Sequence, residues 1–151
     1  FVMLDSVIVG EEGGRLAGAE LARLEEALAT TDRHVLVCMH HQPVQVGSAW
    51  IDTMAIENPD ALFAIIDRYP QVRGVLWGHV HQTFDGRRGS VRLMASPSTC
   101  VQFTPRSEDF QVDEEPPGFR LLALQPDGVI RSEVVRVHGM PHGLDLASAG
   151  Y

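Results

Sequence analysis

Four histidines stand directly after apolar runs of this chain, at positions where they could bind metal ions. His40 and His41 follow the first run, and His79 and His81 follow the second, within Gly78-His79-Val80-His81. On an extended backbone, side chains two positions apart point to the same side, with Cα atoms roughly 6.5 Å apart. That spacing is wide for chelation of one ion, and it suits one imidazole on each of two metals about 3.5–4 Å apart.

Other arrangements of the same residues are open. Three imidazoles could hold a single zinc ion with an open fourth position. For His40 the alternative is an imidazole bonded to a nearby carbonyl, and His41 is expected to face away from the group that His40 faces. We therefore predict that His41 supports the site or lies at the surface.

The remaining histidines and the acids offer fewer ligands. His34, His138 and His142 are most simply solvated. A two-metal site needs bridging carboxylates, and the acids near predicted strand ends are Asp5, Asp52 and Asp85. Each is more readily a cap or turn residue, because none has the spacing of a ligand pair.

Composition narrows the class of protein. The chain has 151 residues, 44% of them apolar, and a formal net charge of −8. This indicates one globular domain that repels polyanions, so we expect neither nucleic-acid polymers nor membranes as partners. A small anionic substrate is compatible with this charge if metal ions supply local positive charge.

Cysteine usage and the first residues add two expectations. Cys38 and Cys100 are far apart in sequence and form no disulfide framework, which predicts a reducing, cytoplasmic location. The chain opens at Phe1 in what reads as the middle of a strand. We therefore expect an N-terminal portion to be absent.

The order of predicted elements is strand, helix, strand, helix, strand, followed by two hairpins. Strands are predicted at 1–6, 34–39 and 72–77, helices at 16–29 and from an Asn58 N-cap towards Pro70, hairpins at 83–95 and 119–137, and a polar loop at 104–117. This pattern favours an α/β fold with a parallel or mixed sheet. Both histidine pairs would then lie at the carboxyl ends of neighbouring strands, where ligands bind in such sheets.

These motifs resemble the calcineurin-like metallophosphoesterases, and more narrowly the bacterial class III cyclic AMP phosphodiesterases. The likeness covers residues 1 to about 137 and rests chiefly on Met39-His40-His41-Gln42-Pro43, Gly78-His79-Val80-His81 and Pro97-Ser98-Thr99-Cys100-Val101-Gln102-Phe103. It implies the C-terminal half of a four-layer αββα sandwich, with a mixed sheet and C-terminal antiparallel hairpins. That domain would cover 1–138, and 139–151 would be a flexible tail.

The resemblance also implies an activity. A dinuclear centre, of iron with manganese or another divalent ion (zinc included), would take His40 and His79 on one metal and His81 on the other. Hydroxide bridging the metals would hydrolyse 3′,5′-cyclic AMP to 5′-AMP. Ser98, Thr99 and Cys100, with His41, would support the site or bind the nucleotide, and no residue of this chain is assigned as catalytic.

The sequence departs from the family pattern in one respect. In the family, the Asp-x-His, bridging Asp and Asn-His motifs lie N-terminal to the part that this chain matches, so the resemblance assigns them to no residue of 1–151. Alone, the chain is therefore expected to bind metal weakly, to catalyse poorly and to expose a sheet edge that invites a homodimer. The alternatives are another metallophosphoesterase, or a catalytically incomplete, self-associating fragment.

Overall fold

A five-stranded mixed sheet forms the centre of the computed structural model, which describes residues 1–139, 143, 145–148 and 150. Its strands, in spatial order, are β1 (Val2–Met3), β2 (Val35–Met39), β3 (Val72–Trp77), β5 (Val91–Ala95) and β4 (Phe84–Arg88). All pairs are parallel except β4 with β5. The predicted mixed α/β architecture is confirmed.

Helices and short ladders complete the described fold. The helices are α1 (Gly18–Ala29), α2 (Ala49–Asp52) and α3 (Pro59–Ile66); the remaining strands are β6 (Gln102–Phe103), β7 (Val112–Asp113), β8 (Gly118–Leu124) and β9 (Ile130–Arg136). The two predicted hairpins are β4–β5 and β8–β9. Helix α2 and strands β6 and β7 were not predicted, β7 lies within the predicted loop 104–117, and the first strand is shorter than the predicted 1–6.

Strand β2 shows why the central sheet is buried on both faces. All five of its residues are buried. Val35, Val37 and Met39 pack into the main core with α1 and α3, whereas Leu36 and Cys38 pack with the β8–β9 hairpin. Because side chains alternate across a strand, a continuously apolar strand needs a layer on each side. The layers here are helices, sheet and hairpin.

Asn58 occupies the N-cap position of α3, as predicted, but its side chain makes no capping hydrogen bond. Its amide instead accepts a hydrogen bond from the Leu16 N–H at 3.0 Å and donates one to the Leu16 carbonyl at 2.9 Å. The reason is tertiary, since a chain segment 42 residues away offers both a donor and an acceptor. Asn58 thereby ties the start of α1 to the start of α3.

Part of the predicted tail, 139–151, lies outside the described residues, as does His142, so the boundary at 138 stays a prediction. Both cysteines are unpaired, with Cys38 buried and Cys100 exposed. Among the described residues, none of the helices has the length and apolar character needed to cross a membrane.

Candidate metal centre

The register of β2 and β3 brings His40 and His79 together. Met39 lies opposite Trp77 in this parallel pair, and the Gly78 N–H donates to the His40 carbonyl at 3.2 Å. Just beyond, His40 Nε2 and His79 Nδ1 are 3.2 Å apart. Two imidazole nitrogens at 2.0–2.1 Å from one tetrahedral zinc would be separated by about 3.4 Å, so this pair fits a shared ion.

The backbone around His79 and His81 is not extended, so the geometry predicted for these residues is wrong. Strand β3 ends at Trp77, and the φ angles are +55° at His79 and +47° at His81. Left-handed backbone is uncommon for side chains other than glycine, and such strain clusters at functional sites. Val80 between them is fully buried, and its burial holds the turn in place.

His41 lies beside the His40–His79 pair instead of facing away from it. Its ring centroid is 4.8 Å from that of His40 and 4.6 Å from that of His79. Its Nδ1 lies 2.7 Å from Ser6 Oγ, and its Nε2 lies 3.2 Å from the Glu12 carbonyl oxygen. Although the ring nitrogens of these three histidines lie within 4.8 Å of one another, both nitrogens of His41 are already engaged.

His81 is held by an aromatic group. Its ring stacks on Phe103 with centroids 4.4 Å apart and an interplanar angle of 7°, and Phe103 in turn packs edge-on against Trp50 and Phe110. The buried Nδ1 atom of His81 and the buried Nε2 atom of His79 have no hydrogen-bond partner among the described residues. An unpartnered buried nitrogen such as Nδ1 of His81 is available to a metal ion, whereas on His79 the unpartnered Nε2 is not the nitrogen that faces His40.

The electrostatics keep these rings neutral. Burial, followed by the neighbouring His41, His40 and His81, lowers the pKa of His79 to about 4. Burial also lowers the pKa of His41 and of His81 from the ordinary value. Because only the neutral ring offers a lone pair, His79 and His81 can coordinate a metal at neutral pH.

The same shifts predict how stability depends on pH. The His79 pKa is 6.5 without perturbation and about 4 in the fold, so on acidification the unfolded chain takes up the proton first. Stability is therefore retained above about pH 6.5 and lost as the pH falls towards 4. We expect a lower urea midpoint at pH 5.5 than at pH 7 for the metal-free chain. His79→Asn should reduce this difference, and His34→Asn, an exposed control, should not; equal differences in both variants would contradict the prediction.

A cavity of about 430 Å³ opens over the histidines. The described residues that line it are Val7, Glu11, Glu12, His40, His41, Ile51, Met54, His79, His81 and Phe103. All four predicted histidines therefore share one cavity. The sequence analysis did not predict that segment 7–12 and α2 line this cavity. Neither carries a motif, and both reach the cavity through tertiary packing.

The carboxylates considered as bridging ligands act locally, as the cap or turn interpretation predicted for two of them. Asp5 Oδ1 accepts the Val7 N–H, and the Asp52 carboxylate accepts the N–H groups of Val46 and Gly47. Asp85 instead lies within β4 and pairs with Arg92 and Arg120. None of these three acids is among the described residues that line the cavity.

Ser98, Thr99 and Cys100 lie in the loop after β5, outside the set of described residues that line the cavity. Thr99 and Cys100 are exposed. Ser98 organises the loop itself, since its Oγ accepts the Cys100 N–H and its carbonyl accepts the Gly118 N–H. Of the predicted segment 97–103, it is Phe103 that reaches the cavity.

A largely parallel α/β sheet with imidazoles gathered at its carboxyl edge defines an α/β domain with a candidate metal site. No protein-family model matches the chain. Its sequence is 46% identical over 151 residues to the 3',5'-cyclic adenosine monophosphate phosphodiesterase CpdA of Pseudomonas aeruginosa, covering 99% of this chain and 56% of that relative. It is 43% identical over 147 residues to the 3',5'-cyclic-nucleotide phosphodiesterase alr5338 of Nostoc, covering 97% of this chain and 54% of that relative.

These similarities relate the chain to the cyclic nucleotide phosphodiesterases, in line with its resemblance to the class III enzymes of the calcineurin-like superfamily. The chain spans about half the length of the curated relatives it matches. Among solved structures, a dimetal phosphatase from Danio rerio aligns with 82% of this chain and 39% of its own, with a TM-score of 0.49 and 17% identity.

Proposed function

We propose that this chain supplies part of a dinuclear metal site that hydrolyses 3′,5′-cyclic AMP to 5′-AMP. The observation that carries the proposal is the approach of His40 Nε2 and His79 Nδ1 to 3.2 Å at the ends of two parallel strands. The relatives' names supply the substrate class. The cavity, at about 430 Å³, has the size of a small-molecule site.

Three residues are the proposed ligands. His40 and His79 would bind one metal, and His81, with its unpartnered Nδ1, would bind the other. The proposed ions are iron with manganese or another divalent metal, zinc included. When bound, such ions polarise phosphoryl oxygens and lower the pKa of water, and they supply positive charge to a chain that carries −8.

The chain's own residues would orient and shield this chemistry. The Phe103 ring holds His81 by stacking, and the buried side chain of Ile51 keeps the cavity wall apolar. Ser98, Thr99 and Cys100 stay proposed nucleotide contacts. Their support is the resemblance of the 97–103 segment to the cyclic nucleotide branch of the superfamily.

Two alternative functions are compatible with the same group of histidines. The site could act on a different phosphodiester or a phosphomonoester, or the chain could be a catalytically incomplete module that self-associates. The second is favoured by β1, an edge strand of the sheet whose residue Met3 is 63% exposed, next to Phe1 at 80%. A cytoplasmic location and a homodimer are likewise proposals.

Hydrolysis after complementation tests the function. The chain is mixed with a separately expressed N-terminal segment of a relative, one that carries the Asp-x-His and Asn-His motifs, in the presence of manganese. Release of 5′-AMP from 3′,5′-cyclic AMP is then compared with turnover of 2′,3′-cyclic AMP and of a linear phosphodiester. Preferential turnover of the 3′,5′-cyclic substrate is expected. Equal turnover of all three would favour the broader phosphoesterase. An oligomer in light scattering that holds less than one metal per chain would favour the self-associating module.

A further inference from the structure

The segment from Ser6 to Gly14 contacts His41 in a way that the metal-ligand motifs do not explain. Ser6 is buried, and its Oγ accepts the backbone N–H of His41 at 3.3 Å while lying 2.7 Å from His41 Nδ1. The Glu12 carbonyl lies 3.2 Å from Nε2 on the other side of the ring. The imidazole is thus held at both nitrogens by residues 29 and 35 positions away.

These partners determine the tautomer of His41. A carbonyl oxygen can only accept, so Nε2 must carry the proton that is donated to Glu12. Nδ1 is then the acceptor, and the Ser6 hydroxyl donates to it. Neither nitrogen retains a free lone pair, so His41 is not available as a metal ligand although its ring nitrogens lie near those of His40 and His79.

Gly14 supplies the space that the ring occupies. A Cβ atom at this position would lie 2.5 Å from Cγ of His41 and 2.6 Å from its Nδ1. The Gly14 backbone cannot retreat readily, because it bridges both Val7 and Ile56 and its carbonyl accepts the Glu57 N–H at 2.8 Å. Any side chain here would therefore displace the imidazole.

We propose that His41 is a positioning residue, locked by Ser6, the Glu12 carbonyl and Gly14, whose ring holds His40 and His79 ready to share an ion. The ring lies against both others, with centroids 4.8 and 4.6 Å away, and so limits their rotation. Partners that orient metal-binding histidines typically contribute 10–100-fold to metal affinity. The role of His40 and His79 as ligands rests on the proposed function, whereas the locking of His41 does not.

The test compares Gly14→Ala with Gly18→Ala in the 151-residue chain. Neither glycine has a positive φ, and a Cβ at Gly18 meets nothing within 4 Å, so the control adds the same methyl without a clash. In metal-free protein, ¹⁵N spectra of the histidine rings should show the Nε2–H tautomer for His41. Gly14→Ala should shift the His40 and His79 ring signals, and Gly18→Ala should leave them unchanged.

Zinc titration provides the second measurement. We expect about 10-fold weaker binding in Gly14→Ala and in Ser6→Ala, with wild-type affinity in Gly18→Ala. Ser6→Ala keeps the inference falsifiable if Gly14→Ala does not fold. Unchanged ring signals, a different His41 tautomer, or unchanged zinc affinity in a folded variant would overturn the inference. A wild-type chain that binds no zinc would contradict the proposed function, and the metal-free spectra would still decide the locking of His41.

Discussion

Replacing His79 by alanine is expected to lower zinc affinity by more than about 100-fold and to abolish cyclic AMP hydrolysis in the complemented protein. Partners outside the coordination sphere already contribute 10–100-fold to metal affinity, so loss of a direct ligand should cost more. His79 faces His40 with one nitrogen and leaves the other buried without a partner among the described residues. Calorimetric titration with zinc and an assay of 5′-AMP release measure the two effects.

The control for this variant is His34→Ala. His34 is an exposed histidine outside the cavity lining that the structure describes, so zinc affinity and turnover should stay at the wild-type level. The metal-free His79→Ala chain should also unfold at the same or a higher urea concentration at pH 5.5, because a buried, partnerless nitrogen has been removed. An active His79→Ala protein would contradict the assignment of the site.

Replacing Arg120 by alanine is expected to lower the free energy of unfolding by about 3 kcal/mol. Its side chain is 2% exposed and joins the β8–β9 hairpin to the edge of the central sheet. The guanidinium donates to the carbonyls of Ala95 and Phe84, to the Asp85 carboxylate and to Ser132 Oγ. Alanine would remove the donor to the two carbonyls, while Asp85 would keep its pair with Arg92, and losing hydrogen bonds from a charged, buried group costs about 1.5–3 kcal/mol each.

Arg131→Ala is the matched control for Arg120. Arg131 lies on β9 of the same hairpin, opposite Ala123, and it is exposed. Removing it should change stability by less than about 0.5 kcal/mol, as for most surface substitutions. Urea unfolding at pH 7 provides both values. If the Arg120 variant differs from the Arg131 variant by less than about 1 kcal/mol, the hairpin does not depend on this contact.

Much of the fold could be predicted because its signals are local. The continuously apolar run 35–39 predicted a strand covered on both faces, and the alternation of strands with helices favoured a parallel or mixed sheet. Parallel order in turn placed His40 and His79 at the same end of adjacent strands. The β8–β9 hairpin was equally readable, since Pro126-Asp127-Gly128 forms a turn between two apolar runs.

Other features depended on segments that meet only in the folded chain. Asparagine is a residue type that commonly caps helices. The side-chain amide of Asn58 instead bonds both the backbone N–H and the backbone carbonyl of Leu16. His79 and His81 were expected on an extended backbone, but both have left-handed φ angles on either side of the buried Val80. Local conformational propensities are weak compared with such tertiary contacts. They therefore determine the backbone conformation and the capping bonds only where no residue distant in sequence competes.

The sequence by itself determined which imidazoles were candidate ligands and that they would follow apolar strands, because side-chain chemistry and the order of elements along the chain are properties of the sequence. The tertiary structure decided which imidazoles are free to bind. His41 is adjacent to His40 in sequence, yet Ser6 and Glu12 occupy both of its nitrogens. His79 and His81 each keep a buried nitrogen without a partner among the described residues, and the ring packed on His81, that of Phe103, is apolar.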